Sequence, residues 1–295
     1  MITVTNLSKN FNGHEAVKNV SFILENHHKS TALIGPNGAG KTTTLSMLAG
    51  LLKPTSGQIQ LEGVHDIRTA IGFLPQYPQF FSWLTALEYM EMAAQLSGIP
   101  IREAKRRSEE MLIFVGLEKA MRKRIGTFSG GMKQRLGIAQ AIVHKPKLLL
   151  LDEPVSALDP VGRREIMNLL KELQQQTQIL YSTHILNDAE EMTDQLLFLN
   201  HGELVEKGSL AEVKKKYEAN QFIIEFEKQE DAQLFSSHSN YKTKVEGNIT
   251  TIEIQNEIPF MQHLLSELSN SPYVVRRVER KTANLEEIFL KVVGQ

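Results

Sequence analysis

The sequence predicts an α/β fold in which helices cover a mostly parallel sheet, followed by a smaller α+β unit. Two observations predict the larger part: short continuous apolar runs such as "TALI" and "LLLL" are typical of buried parallel strands, and helical patterns alternate with them. A third predicts the smaller part, because short alternating segments follow the basic run "KKK" at residues 214–216. The expected domains are therefore 1–212 and 213–295.

The first elements follow a rhythm of strand, turn and helix. Residues 17–26 alternate as a strand, and residues 30–34 form an apolar run that ends in a glycine turn. A helix is predicted from Lys41, because apolar residues recur at helical spacing up to Leu52, and "KPTSG" should end it. Two more strands, "QIQLEG" and "TAIGFLPQ", are joined by a short linker.

The middle of the chain changes from strands to helices and back. Residues 85–98 and 102–116 have helical patterns separated by Gly98 and Pro100, which predicts an inserted helical subdomain at about 77–128. The strand "KLLLLDEP", a helix at about 161–175 and the strand "QILYSTH" then restore the alternation.

The tail has the element order β-α-β-β-α-β, which is the ferredoxin-like arrangement. Its segments are "QFIIEFEK", "EDAQLFSS", the hairpin "YKTKVEG" and "NITTIEIQ", "PFMQHLLSELS" and "YVVRRVER", and an amphipathic helix "LEEIFLKVV" closes the chain. The tail has neither a glycine loop nor an Asp/His cluster, which favours a structural or assembly module over a second catalytic site.

Composition excludes several classes of function. The 33 basic and 34 acidic side chains nearly cancel, so no nucleic-acid partner is expected from overall charge. The absence of cysteine excludes disulfides, thiolate catalysis and Cys-ligated metals, and a reducing cytosol is the simplest location. The N-terminus lacks the features of a signal peptide and no apolar run reaches membrane length, so we expect the chain neither to enter nor to span a membrane.

The segment "GPNGAGKTT" fits the P-loop pattern and stands between a predicted strand and a predicted helix. Its glycines allow backbone N–H groups to surround phosphates at a helix N-terminus. Lys41 is expected to reach the β and γ phosphates, and Thr42 to bind Mg²⁺. The alternative is an ordinary glycine turn that caps a helix.

Polar residues end the following strands. Asp152 can hold Mg²⁺ through water and Glu153 can polarise an attacking water, although a helix N-cap would also explain such a pair. His184 can bind a γ-phosphate, but a lone histidine at a strand end is often structural. Gln76 by itself is an ordinary polar residue, and Phe11 is more typical of a core side chain than of a stacking platform.

Six motifs occur in an informative order: "GPNGAGKTT", "LPQ", "FSGGMKQR", "LLLLDEP", "SALDP" and "STH". Over residues 1 to about 212 the chain resembles the ATP-binding cassette ATPases of ABC transporters. The resemblance implies a P-loop NTPase core with an antiparallel β subdomain and a helical subdomain. It implies that the Walker A loop consists of Gly35, Pro36, Asn37, Gly38, Ala39, Gly40, Lys41, Thr42 and Thr43, and that the signature consists of Ser129, Gly130, Gly131 and Met132. Gln76 would be the Q-loop glutamine and a metal contact, Asp152 the Walker B aspartate and Glu153 the catalytic glutamate. The D-loop would run from Ser156 to Asp159, His184 would be the switch histidine, and Phe11 would contact the adenine.

The same resemblance implies cofactors and partners. The cofactors would be ATP and Mg²⁺, and two cassettes would pack head to tail, so that Ser129 and Gly131 donate to the γ-phosphate of a neighbour's ATP from a helix starting near Met132. The second cassette would be a copy or a paralogue, and both would bind separate membrane permease subunits at the inner face of the cell membrane. The family signature commonly reads Leu-Ser-Gly-Gly-Gln, and Phe128 and Met132 depart from it while the phosphate-contacting residues remain.

The tail, ending "ANLEEIFLKV", resembles the accessory domain found after the cassette in some bacterial drug, bacteriocin-immunity and sodium exporters. This resemblance implies export. The alternative is a soluble ATPase of the same superfamily that acts on ribosomes or nucleic acid. Those relatives usually carry two cassettes, a long coiled coil or zinc-binding cysteines, none of which occurs here. A kinase or another P-loop enzyme would leave "SGGMKQR" without an explanation.

Overall fold

The computed structural model describes residues 1–25, 27, 29–156, 158–217, 221–254, 260–281 and 284–294. Five residues of the predicted elements and motifs lie outside the described residues: Asn26, Ala157, Gln255, Pro259 and Ala283. The chain forms two compact units, one of Met1–Leu210 together with Phe289–Gln295, and one of Ala211–Ile288.

The first unit contains two sheets and the larger helices. Its strands are β1 (Ile2–Phe11), β2 (His14–Leu24), β3 (Ser30–Ile34), β4 (Ser56–Leu61), β5 (Ile71–Leu74), β6 (Leu148–Asp152), β7 (Gln178–Thr183), β8 (Gln195–Asn200) and β9 (Glu203–Ser209). Its helices are α1 (Lys41–Leu48), α2 (Ala86–Leu96), α3 (Ile101–Phe114), α4 (Gly130–Ile142), α5 (Pro160–Leu173) and α6 (Leu186–Met192), and α7 (Leu210–Lys216) begins at its boundary.

The main sheet has the strand order β5-β6-β7-β3-β8-β9. All its pairings are parallel except that of β9 with β8. Every residue of β3 and β6 is buried, as expected for strands covered by helices on both faces. The predicted α/β class with a mostly parallel sheet is confirmed.

A second sheet, of order β2-β1-β4, is antiparallel. The residue pattern did not predict β1, because its apolar alternation at Ile2 and Val4 is broken before Leu7. The structure gives the reason: Asn6 has a positive φ of 49°, and the pairing with β2 shifts register between Val4 and Leu7. A bulge of this kind moves the inward-facing position by one residue.

Two predicted helix ends are wrong by a few residues. Helix α1 ends at Leu48, not after Leu52, because Gly50 adopts φ 70° and the amide of Leu51 donates to the carbonyl of Ser46. This is a Schellman ending, which glycine favours. Helix α4 begins at Gly130 rather than near Met132, because the Ser129 hydroxyl accepts from the Met132 amide and caps the helix.

Helices α2 and α3 form the predicted helical insertion. Thr85 and Glu88 make a reciprocal capping box at the start of α2, and the backbone hydrogen bond from Thr85 lowers the pKa of the Glu88 carboxyl. Within the described residues, none of the helices is both long and apolar enough to cross a bilayer.

The second unit has the predicted β-α-β-β-α-β order. Its elements are β10 (Gln221–Phe226), α8 (Gln229–His238), β11 (Thr243–Glu246), β12 (Ile249–Glu253), α9 (Met261–Ser269) and β13 (Val275–Arg280), followed by α10 (Leu285–Val293). The sheet order β11-β12-β10-β13 is antiparallel throughout, as in ferredoxin-like domains. Phe222, Ile224 and Phe226 of β10 pack with Phe235 of α8 and Leu264 of α9 in its core.

Candidate functional site

The glycine loop between β3 and α1 is closely packed at its base and open at its tip. A Cβ atom on Gly35 would lie 2.3 Å from the carbonyl oxygen of Leu199, and one on Gly40 would lie 2.5 Å from that of Ala16. A Cβ on Gly38 would meet nothing within 4 Å. Gly38 and Gly40 also have positive φ values of 79° and 100°. Glycine is therefore needed for space at the base of the loop, and for backbone conformation at the tip.

The side chain of Lys41 lies inside this loop. Its Nζ atom donates to the carbonyl oxygens of Gly35 at 2.8 Å and Pro36 at 3.1 Å, and it lies 3.6 Å from Oε1 of Glu153. Only 7% of the lysine side chain is exposed. A buried ammonium requires such partners, and they hold the positive charge of Lys41 within the loop, next to the N-terminus of α1.

Glu153 contacts both the lysine of the glycine loop and His184. Its Oε2 atom lies 2.6 Å from Nδ1 of His184, while its Oε1 atom faces Lys41. The glutamate side chain is 7% exposed and the histidine side chain is 49% exposed, so the histidine reaches a buried carboxylate from the surface. Glu153 also has φ 48°, a left-handed conformation that costs a non-glycine residue about 1–2 kcal/mol. Such strained residues are common at functional sites.

Asp152 is the last residue of β6 and is buried. Its Oδ1 atom accepts a hydrogen bond from the Ser182 hydroxyl at 2.6 Å, and the same Ser182 oxygen accepts from the Glu153 amide at 2.9 Å. Strand β7, which carries Ser182, lies between β6 and β3 in the sheet. Sequence reasoning did not select Ser182. The available signal was a hydroxyl residue near the end of "QILYST", a strand whose apolar residues predict burial.

The other residues assigned to metal or phosphate lie near the ends of their elements. Thr42 is exposed and Thr43 half-buried in the first turn of α1, and Gln76 is half-buried two residues after β5. Among the described residues, no hydrogen bond joins Gln76 to Asp152 or Glu153. Gln76 is thus placed beyond the end of a neighbouring strand, without a direct link to the carboxylates.

The signature segment lies at the N-terminus of α4. Ser129 and Gly130 are exposed, Gly131 and Met132 are half-buried, and a Cβ on Gly131 would lie 3.8 Å from Cδ2 of Leu158. In the described part of the chain, no hydrogen bond connects this segment to the glycine loop. Within the described residues, the glycine loop and the signature segment are therefore not joined by hydrogen bonds.

The D-loop joins Glu153 to α5. The Ser156 hydroxyl donates to the Glu153 carbonyl at 3.2 Å, and an oxygen of Asp159 accepts from the Gly162 amide at 3.1 Å and caps α5. Ala157 of this loop is not among the described residues. Asp159 is exposed, so its carboxylate both caps a helix and faces solvent.

Phe11 is not a core residue. It is 45% exposed at the end of β1, and Nζ of Lys9 lies 5.0 Å from the centre of its ring. The interpretation of Phe11 as a core side chain is therefore wrong, because the β1–β2 turn places it at the rim of the sheet. Adenine stacking on this ring stays a prediction.

Two family models match the chain. The model described as "ABC transporter" matches residues 17–156, and the model described as "ATP-binding protein DrrA1-3-like, C-terminal domain" matches residues 208–293. The first match includes the glycine loop, the signature and the carboxylate pair. The second covers the ferredoxin-like unit.

Curated relatives match over nearly the whole chain. The ABC transporter ATP-binding protein YxlF of Bacillus subtilis (strain 168) is 47% identical over 99% of both chains. The bacitracin transport ATP-binding protein BcrA of Bacillus licheniformis is 33% identical over 94% of this chain and 97% of the relative.

Solved structures match about three quarters of the chain. An "ATP binding subunit of ABC transporter" is 31% identical, with a TM-score of 0.66 over 74% of this chain and 93% of that structure. The ATP-binding cassette MJ0796, described as a dimer in a post-hydrolysis state bound to ADP and Pi, is 29% identical, with a TM-score of 0.64 over 71% of this chain and 99% of its own.

Proposed function

This chain belongs to the ABC transporter family of ATP-binding subunits, and from that membership we propose the residue roles, the partners and the direction of transport that follow. The subunit binds and hydrolyses ATP to energise transport. We propose that the transport is export, through separate permease subunits at the inner face of the cell membrane. The alternative of a ribosome- or nucleic-acid-directed ATPase is not favoured, since the relatives are named as transporter subunits.

The observation that carries the proposed mechanism is that one carboxylate, that of Glu153, contacts both a histidine and the lysine of the glycine loop. Glu153 lies 2.6 Å from His184 and 3.6 Å from Lys41, and Lys41 lies within the glycine loop. A water molecule held between the γ-phosphate and Glu153 would be polarised by this carboxylate. His184 would orient the phosphate and the carboxylate relative to each other.

The phosphates would bind to the loop of Gly35 to Thr43, where backbone N–H groups, the N-terminus of α1 and Lys41 together provide positive potential. The oxygen donors fit Mg²⁺: the hydroxyl of Thr42, the amide oxygen of Gln76 and the carboxylate of Asp152 are hard ligands, and magnesium usually uses only one or two carboxylates beside phosphates and water. When bound, magnesium neutralises charge on the β and γ phosphates. The Ser182 hydrogen bond would orient the Asp152 carboxylate for that contact.

The signature segment would serve a second ATP-binding subunit. Ser129 and Gly130 are exposed at a helix N-terminus, and among the described residues no hydrogen bond joins them to the chain's own glycine loop. The signature of one subunit would therefore complete the binding site for the ATP held by the other subunit. The solved relative MJ0796 is dimeric, which supports a two-subunit assembly here, as a homodimer or with a paralogue.

The direction of transport and the class of cargo come from relatives. BcrA is named for bacitracin transport, and a further relative, LnrL of Bacillus subtilis (strain 168), is named for linearmycin resistance and is 30% identical over the whole chain. We infer from these names and from the C-terminal unit that this chain energises export of an antimicrobial compound. Susceptibility of a strain lacking the chain to such compounds would test the cargo.

The mechanism is tested by Glu153→Gln. The amide keeps the size of the side chain but is a much weaker proton acceptor, so ATP binding should persist while turnover falls about a hundredfold or more. ATP-bound dimers should then accumulate, which size-exclusion chromatography with ATP would detect. Glu172→Gln, on an exposed position of α5, is the matched control and should hydrolyse ATP like the unchanged chain. Undiminished ATPase activity of Glu153→Gln would remove this residue from the mechanism.

A further inference from the structure

Helix α4, which begins at the signature, touches the catalytic turn of its own chain through one buried side chain. Gln134, in the second turn of this helix, donates from Nε2 to the carbonyl oxygen of Pro154 over 2.7 Å. Gln134 is 8% exposed, and Pro154 is buried. Because water has little access to either group, losing the amide would remove a buried hydrogen bond that water cannot readily replace.

The Pro154 carbonyl lies one residue beyond Glu153, and the proline ring fixes the φ angle between them. Glu153 has φ 48°, and a left-handed non-glycine residue persists only where its surroundings hold it. On the N-terminal side, the Glu153 amide donates to Ser182 Oγ at 2.9 Å. On the C-terminal side, Gln134 holds the Pro154 carbonyl. These two hydrogen bonds lie on either side of Glu153, and the Ser156 amide and hydroxyl donate to the Glu153 carbonyl between them. Together they restrain the backbone from which the Glu153 side chain leaves.

Gln134 therefore connects two functional parts that serve different nucleotides. Its helix begins at Ser129, in the loop that meets the partner's ATP under the proposed function, whereas Glu153 acts on the ATP of its own chain. We propose that Gln134 is a positioning residue for Glu153, which holds the carboxylate in register with Lys41 and His184 through the Pro154 carbonyl. This inference rests on the proposed role of Glu153.

A matched pair of glutamines on one helix tests the inference. Gln134→Met keeps length and flexibility but removes the donor. Gln140→Met is the control, since Gln140 accepts from the Tyr89 hydroxyl at 2.8 Å on the side of the helical subdomain. A displaced catalytic group slows chemistry more than binding, so kcat of Gln134→Met should fall about tenfold or more, while KM and the Kd for a fluorescent ATP analogue change less than about threefold. Gln140→Met should keep kcat within about threefold.

Mixed dimers show on which site Gln134 acts. Two differently tagged copies are co-purified, and one carries Glu153→Gln, so that only the site containing the other copy's Glu153 turns over. Gln134→Met is then placed either in the copy with the intact Glu153 or in the copy that lends its signature. Turnover should fall about tenfold in the first placement and less than about threefold in the second. Normal turnover in the second placement also shows that the variant folds.

The outcomes separate this inference from the proposed function. If the unchanged chain, with its permease where required, does not hydrolyse ATP, the proposed function is wrong. If it does, and Gln134→Met keeps its kcat, Gln134 does not position Glu153. Equal effects in both placements, or a larger effect in the second, would assign Gln134 to the signature loop and overturn the inference.

Discussion

The hydroxyl of Ser182 lies 2.6 Å from Oδ1 of Asp152, and this hydrogen bond joins the ends of two adjacent buried strands, β7 and β6. The same oxygen accepts from the Glu153 amide, so one hydroxyl contacts both residues of the carboxylate pair. A buried group with two such partners is costly to remove.

We therefore predict that Ser182→Ala lowers both stability and turnover. The loss leaves a buried carboxylate oxygen and a buried amide without partners, which should cost about 1–3 kcal/mol in the free energy of unfolding. Urea unfolding measures this cost, and the dependence of ATPase rate on Mg²⁺ concentration should move to higher magnesium because Asp152 is less well oriented. The matched control is Ser46→Ala on α1, whose half-buried side chain makes no hydrogen bond to either carboxylate within the described residues. An unchanged magnesium dependence would contradict the role given to Ser182.

We expect Ser129 to act both as the cap of α4 and as part of a shared ATP site, and two variants compare these roles. Ser129→Ala removes the cap, which should cost about 1 kcal/mol of stability, together with a hydroxyl expected to donate to the partner's ATP. Ser129→Arg removes the same cap and adds a bulky cation at the exposed loop, so it should also abolish ATP-driven dimerisation. Both variants should bind ATP like the unchanged chain, since the glycine loop is elsewhere. Analytical ultracentrifugation with ATP measures dimerisation, and a Ser129→Arg chain that still dimerises and hydrolyses ATP would show that this loop is not part of a shared site.

The glycines of the phosphate loop should differ in their tolerance of alanine. Gly38→Ala meets only the cost of a left-handed alanine, about 1–2 kcal/mol, because a Cβ there contacts nothing within 4 Å. Gly40→Ala carries the same conformational cost and also brings Cβ to 2.5 Å from the Ala16 carbonyl oxygen, so the backbone must move. We expect Gly40→Ala to weaken ATP binding about tenfold or more and Gly38→Ala to weaken it less. Titration with a fluorescent ATP analogue measures both, and equal losses would contradict the packing at Gly40.

Acid should destabilise the chain through His144. Its Nε2 atom lies 3.2 Å from the Ile71 carbonyl oxygen, its buried Nδ1 has no partner in the structure, and burial lowers the pKa of the imidazole. The unfolded chain then binds a proton more readily than the folded chain, so this contribution is present above the unfolded pKa of about 6.5 and is lost as pH falls through the folded pKa.

The comparison of unchanged chain and His144→Gln isolates this effect. The glutamine amide can donate to the same carbonyl but does not titrate in this range. Melting temperatures measured between about pH 7.5 and 5.5 should fall more for the unchanged chain than for the variant. Parallel losses in the two proteins would show that His144 does not carry the acid sensitivity.

Local features of the sequence were sufficient for much of the fold. The apolar runs of β3, β6 and β7, the glycine spacing before α1 and the alternation of the C-terminal strands each depend on neighbours in the chain. Strand β1 was not predicted, and the cause is also local, since a bulge at Asn6 breaks the two-residue alternation of apolar side chains. Helix α1 ends early because Gly50 adopts a left-handed backbone conformation. The helical spacing of the leucines continues past Gly50, so the leucine pattern alone predicted a longer helix.

In the candidate site too, the sequence determined some features and the tertiary structure determined others. The sequence by itself determined which residue types could hold phosphate and activate water, and that Lys41, Asp152, Glu153 and His184 follow buried elements whose ends meet. Only the tertiary structure decided that Ser182 hydrogen-bonds Asp152 and the Glu153 amide, that Gln134 reaches the Pro154 carbonyl, and that a Cβ would have open space at Gly38 but not at Gly40. The reason is physical: residue spacing encodes the period of an element and its ends, whereas hydrogen bonds across 20 or 30 residues and close approaches between backbones depend on how the elements pack.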